Sequence, residues 1–132
     1  MDVSALKPPC LIVVSQILPA MRTIISREMV ERGKIGPGEA AARMGVTPAA
    51  VTQYLKGVRG SDSVSIVNKS RRARKILSEL AYELAREEID MVIVLHKLCE
   101  ACNLLRSERL ICEICQDSLP GLDSRKCDIC TT

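Results

Sequence analysis

Apolar residues recur at Leu11, Val14, Leu18, Met21 and Ile25 in CLIVVSQILPAMRTIISREMVER, spaced by threes and fours. That spacing predicts a helix over Cys10 to Arg32 with the stripe turned to a core. Pro19 should kink it or split it in two. Gly33 and Gly36 mark a break, after which two short helices are expected, Pro37 to Met44 and Pro48 to Lys56, joined by Gly45-Val46-Thr47. Gly57 and Gly60 close that unit, and Val58 to Val67 reads as a linker or wing-like loop. Periodicity resumes at Leu77, Leu80, Leu84, Val92, Leu95 and Leu98. No Pro or Gly interrupts Ser61 to Leu119, so one long helix and a helix pair bent near Glu87-Glu88 both fit. From Cys99 onward the helical pattern is expected to give way to cysteine spacing. The pattern divides the chain into an N-terminal helical domain (1–60), a linker and helical packing or dimerisation region (61–98) and a cysteine-rich tail (99–132).

The segment PGEAAARMGVTPAAVTQYLK, residues 37–56, has a specific physical logic. Two short helices cross steeply only where a small residue sits at the crossing, and Ala41 meets that need. Gly45 supplies positive φ for the turn. Ala40, Met44, Val46, Val51 and Tyr54 are expected to face the core beneath both helices. Thr47 is a good N-cap, Pro48 suits the first helical position, and Gly57 follows as a stop. This segment resembles the helix-turn-helix of the Cro/repressor-like (XRE-type) transcription regulators. The longer run from PPCLIVVSQILPAMR through GVTPAAVTQYLKGVRG resembles archaeal regulators of that type.

The resemblance implies an all-α fold, a helical bundle whose second short helix enters the major groove. With Val51, Tyr54 and Leu55 on the apolar face, Ala49, Thr52, Gln53 and Lys56 are left facing outward. Gln53 can bond an adenine in bidentate fashion, and Ala49 and the Thr52 methyl suit a thymine methyl. Thr47 heads that helix, while Lys56 and Arg59 lie where phosphates would run. The bland reading of the same residues is a helical hairpin with a solvated outer face.

Composition narrows the field. A chain of 132 residues, 47% apolar and 27% charged, can bury a core, and that core must be aliphatic because there are two Tyr and no Phe or Trp. Such a chain lacks the aromatic platforms on which single-stranded nucleic acid stacks. The net charge of +3 is mild, so a nucleic-acid face must come from local clustering. Lys69, Arg71, Arg72, Arg74 and Lys75 offer one cluster, readable as a phosphate clamp or as a solvated helix face. Five cations at a helix start also oppose the helix dipole. Met1 to Lys7 shows no export signal, and the apolar run after Pro8-Pro9 reads as too short and interrupted to span a bilayer. The expectation is a soluble cytoplasmic protein with no membrane role.

Seven cysteines in a reducing compartment point to metal or redox chemistry before structural disulfides. Six form three Cys-x-x-Cys pairs, Cys99/Cys102, Cys112/Cys115 and Cys127/Cys130. Any two of these pairs could complete a tetrahedral four-thiolate site. The last two pairs resemble a zinc ribbon with Pro120-Gly121 as its turn; the first two are equally feasible by loop length. Zinc and a [4Fe–4S] cluster both suit thiolates. Arg106, Arg109, Arg125 and Lys126 would offset thiolate charge. Cys10 reads as a buried core thiol, and His96 as a surface or capping group.

The sequence thus predicts a dimeric, sequence-specific regulator of double-stranded DNA with a cysteine–metal tail. No enzyme constellation and no small-molecule site is evident. Two rivals remain open, a zinc-module adaptor that grips a protein partner and a regulator switched by thiol–disulfide exchange.

Overall fold

Pro19 decides how the chain enters the fold. A proline inside a helix lacks the N–H that would bond four residues back, and its ring crowds that carbonyl. In the computed structural model, which describes residues 8–119 and 121–131, the helix widens instead of breaking. Helix α1 (Pro9–Ile12), a π-helical turn (Val13–Ile17) and α2 (Leu18–Glu31) run on as one helix, Pro9–Glu31. The Leu18 N–H donates to the Val13 carbonyl, five residues back, so an extra residue is wound in ahead of the proline.

That extra residue rotates everything before it. The buried stripe runs through Ile12, Val13, Ile17, Ala20, Met21 and Ile24. Met21 and Ile25 are buried as the periodicity predicts, but Leu11 and Val14 are 45% and 55% exposed. An unbroken 3.6-residue repeat would have carried Cys10 onto the same face as Ile17. The wider turn carries it off that face, and Cys10 is exposed, not a core thiol. By length and composition Pro9–Glu31 could cross a membrane, contrary to the reading of a short, interrupted run. Half of its apolar window is buried inside the molecule, as in a core helix.

The two short helices follow as α3 (Pro37–Met44) and α4 (Pro48–Leu55). Gly45 sits at φ +71°, and the α3 end is closed by Gly45 N–H to Ala42 O and Val46 N–H to Ala41 O. This is the paired bonding of a left-handed helix stop. Thr47 Oγ1 accepts the Ala50 N–H at 3.1 Å and starts α4. Gly57, at φ +74°, ends it in the same manner as Gly45, with Val58 N–H bonding Gln53 O. The expected loop at 58–67 instead coils into a 3-10 turn (Ser61–Ser63) and α5 (Val64–Asn68), which buries Val67.

Of the two arrangements open after Ser61, the chain takes the pair. Helix α6 (Arg71–Leu84) is capped by the Ser70 hydroxyl, and α7 (Met91–Ser107) by the Asp90 carboxylate. The two pack along each other, and α6 also packs on α2. Leu77, Leu80 and Leu84 are buried as predicted. On α7 the stripe is displaced: Val94, Ala101, Leu104 and Leu105 are buried, while Val92 and Leu95 are 64% and 54% exposed. Residues 85–90 are not helical, so α7 restarts with its own phase and the α6 register does not carry across.

Contrary to the expectation from the pattern, helical structure does not stop at Cys99. Cys99 and Cys102 lie inside α7, and α8 (Cys112–Ser118) is a further short helix before a final 3-10 turn (Ile129–Thr131). No strand occurs among the described residues, and the chain is all-α. One contiguous core runs from Ile12 to Cys115, so the tail shares its packing with the first helix. The reading of Met1 to Lys7 falls outside the described residues.

Candidate nucleic-acid interface and cysteine cluster

Helix α4 presents two faces of opposite character. Ala50, Val51 and Tyr54 are buried against the rest of the bundle, with Ala40 and Ala41 of α3 fully buried beneath them. Ala41 has the full burial that a close helix crossing needs. Thr47, Ala49, Thr52, Gln53, Lys56 and Arg59 are all exposed. Two hydroxyls are already committed: Thr47 caps the helix, and Thr52 Oγ1 donates to the Pro48 carbonyl at 3.1 Å. That leaves the Thr52 methyl as its contact group and Gln53 as the amide on this surface. The Arg59 guanidinium lies 5.9 Å from the Tyr54 ring centroid, which positions its charge at the end of α4.

This face is held from behind. Thr23 Oγ1 lies 2.9 Å from the Pro19 carbonyl and 3.0 Å from the Arg59 carbonyl, so its one proton is shared between them. Gly60 closes on the same spot at φ +79°; a Cβ there would stand 2.4 Å from the Pro19 oxygen and 2.6 Å from Thr23 Oγ1. Only glycine permits that approach. From α3, Arg43 reaches the Leu84 carbonyl at 2.8 Å and that of Arg86, bonding the carbonyls at the α6 end while pairing with Glu39. Arg27 of α2 was not among the predicted site residues, yet its guanidinium approaches the turn at Gly57. Nothing in the local pattern singles it out, because it lies on an otherwise buried helix.

The basic run does not form one patch. Arg74 is bound to the buried carboxylate of Glu28 at 2.8 Å, which also receives Ser78 and pairs with Arg32 at 3.3 Å. Arg72 lines an open cavity beside Cys99 and Cys130. Lys69, Arg71 and Lys75 are exposed.

The cysteines fall into two groups that meet at Cys130, which also lines the open cavity with Cys99. Cys112, Cys115, Cys127 and Cys130 line one cavity of about 350 Å³, walled otherwise mainly by apolar groups including Ile111 and Leu122 and closed at one side by Pro8 and Pro9. Cys99 and Cys102 do not line it. The Cys115 thiol is pushed up, first by burial and then by the charge of Cys130, Cys112 and Cys127. Burial also pushes up Cys102, partly offset by the Arg106 guanidinium, with Cys99, Cys10 and Cys130 adding to the rise. Cys10 therefore stands near the second group, a proximity its sequence position hides. Among the described residues no three His, Cys, Asp or Glu side chains are gathered at ligating separation.

Side chains brace the tail around the first group. Arg109, itself at φ +62°, donates to the carbonyls of Cys127 (2.8 Å) and Ser124. Gln116 Oε1 accepts both the N–H (3.1 Å) and the hydroxyl (2.6 Å) of Ser124. Arg106 Nε donates to Cys130 Sγ at 3.4 Å. Of the four cations expected to offset thiolate charge, Arg106 touches a sulfur, whereas Arg125 pairs with Asp123. Gly121 adopts φ +85° and Leu122 N–H bonds Leu119 O, a turn at the expected place; Pro120 lies outside the described residues.

No family model, curated protein or solved structure matches the chain.

Proposed function

We propose that this protein is a sequence-specific DNA-binding transcription regulator of the Cro/repressor-like helix-turn-helix type. In this reading α4 is the recognition helix and a C-terminal cysteine site holds zinc or an iron–sulfur cluster. The observation that carries the DNA reading is the division of α4. Its inner residues are fully committed to packing, while Thr47, Ala49, Thr52, Gln53, Lys56 and Arg59 share one exposed surface. A short helix with apolar contact groups, one amide and flanking cations on a single face has the chemistry of major-groove readout. Gln53 would address a base edge, Ala49 and Thr52 a thymine methyl, and Lys56, Arg59 and Arg27 the phosphates.

One recognition helix per chain gains specificity by pairing with a second. The exposed Val92 and Leu95 of α7 offer an apolar surface for a homodimer reading two half-sites. The protein acts in the cytoplasm and performs no catalysis. Zinc would serve as a structural staple for the tail. An iron–sulfur cluster would instead make the tail responsive to redox state.

Fluorescence anisotropy with labelled duplex DNA, taken across a salt series, tests this. The expected result is binding that weakens linearly in log–log form as salt rises. A protein that ignores duplex DNA at low salt contradicts the proposal and favours an adaptor.

A further inference from the structure

We propose that Cys112, Cys115, Cys127 and Cys130 are the complete ligand set of the metal site, and that Cys10, Cys99 and Cys102 stand outside it. This rests on the metal half of the function proposed above and decides what that reading leaves open, namely which four of the thiols ligate.

Three observations point to the choice. The four line one largely apolar cavity, a setting that excludes competing water from a thiolate site. Cys99 and Cys102 instead sit in the middle of α7, whereas Cys112 and Cys115 occupy the first turn of α8 and Cys127 and Cys130 lie in the tail and its final 3-10 turn. Cys112 and Cys115 follow the stop at Arg109, and Cys127 and Cys130 close the loop that Gly121 turns. Finally, the loop between the pairs is tied at both ends, by Arg109 to Cys127 and by Gln116 to Ser124. Those bonds tie the segment that carries Cys127 to the region of α8, and the four sulfurs close to ligating separation as metal binds. Arg106, donating to Cys130 Sγ, supplies the hydrogen bond and positive charge that a four-thiolate centre needs around it.

The chemistry is that of a soft cation. Each thiol gives its proton to solvent as its sulfur bonds the metal, and four thiolates complete a tetrahedral zinc or the four corners of an iron–sulfur cube. Pro8 and Pro9 wall the same cavity, so occupancy of the site bears on where the first helix begins.

The test uses the full chain purified anaerobically, with zinc, iron and sulfide assayed and reactive cysteines mapped by alkylation and mass spectrometry. Zinc without sulfide identifies a single ion; iron with sulfide identifies a cluster; either supports the proposal if the ligand set agrees. The expected map shows Cys112, Cys115, Cys127 and Cys130 protected until a chelator is added. Cys10 and Cys99 should label throughout, and Cys102 should label at a rate that metal does not change. C99S/C102S should keep about one centre per chain and C127S should lose it. Metal-dependent protection at Cys99 or Cys102, or a centre retained in C127S, overturns this ligand set alone. A wild-type chain with neither metal nor protection overturns both this inference and the metal half of the function. Because the map is made on unaltered protein, a variant that fails to fold leaves it decisive.

Discussion

Gly60 and Gln53 show how differently two residues on neighbouring turns are used. Gly60 is fixed by packing: its left-handed backbone and its contact with Pro19 and Thr23 leave no volume for a side chain. Gly60→Ala should cost about 2–4 kcal/mol, a left-handed backbone combined with an overpacked contact. Thermal unfolding of that variant beside Gly38→Ala checks this, because a Cβ on Gly38 meets nothing within 4 Å and the helix should gain slightly. Equal melting temperatures for the two would show that the approach to α2 is not tight. Gln53 is exposed and makes no demand on the fold. Gln53→Ala should leave stability unchanged and cost about 1–3 kcal/mol of binding at one base position. Arg74 belongs with Gly60 despite its place in a basic run. Arg74→Ala removes a partner from buried Glu28 and should lower stability by about 1–2 kcal/mol while leaving the salt dependence of DNA binding intact.

At the scale of elements, the α6–α7 pair is the joint most exposed to pH. Hydrogen bonds from the Arg86 guanidinium and the Asp90 N–H hold the Glu83 carboxyl below its ordinary range, and a hydrogen bond from Lys97 does the same for Glu79. A carboxylate whose folded value is depressed contributes stability above its unfolded value, near 4.3. That contribution is lost as pH falls through the lower folded value. Stability should therefore decline in acid, and Glu83→Gln should flatten that decline; an unchanged pH profile for the variant would remove Glu83 from the joint.

These same helices mark what the sequence made legible. Local signals held wherever one residue decides the geometry: Gly45, Thr47, Gly57 and the α6 leucines do what their chemistry dictates. Phase was lost wherever the helix was reset. The π turn ahead of Pro19 moved Leu11, Val14 and Cys10, and the break at 85–90 moved Val92 and Leu95. The first reset has no sequence signature beyond the proline; the second has Glu87-Glu88 and the Asp90 cap but no Gly or Pro, which left a continuous helix equally open. The cysteines were visible, but their division was not, since it follows from which thiols line the cavity shared with Pro8 and Pro9.

The whole molecule ties its two ends together. The helix that begins beside the cysteine cavity at Pro8 and Pro9 is the one whose Thr23 anchors the Arg59 carbonyl behind the candidate DNA face. Stripping metal from the tail should therefore weaken DNA binding as well as loosen the C-terminus, a coupling that anisotropy before and after chelation would reveal. The exposed apolar residues of α7 belong to this scale too. Leu95→Glu should shift the mass in analytical ultracentrifugation from two chains to one with helicity retained, and a wild-type monomer at micromolar concentration would refute the dimer.

The claim on which the rest depends is that the outer face of α4 reads DNA sequence. Selection of binding sites from a random duplex library, run in parallel on the wild type and Gln53→Ala, tests it most directly. The expected result is a two-fold symmetric motif for the wild type and the same motif with one position relaxed in each half for the variant. Enrichment of no sequence by the wild type at low salt, or an identical motif from both proteins, would contradict it.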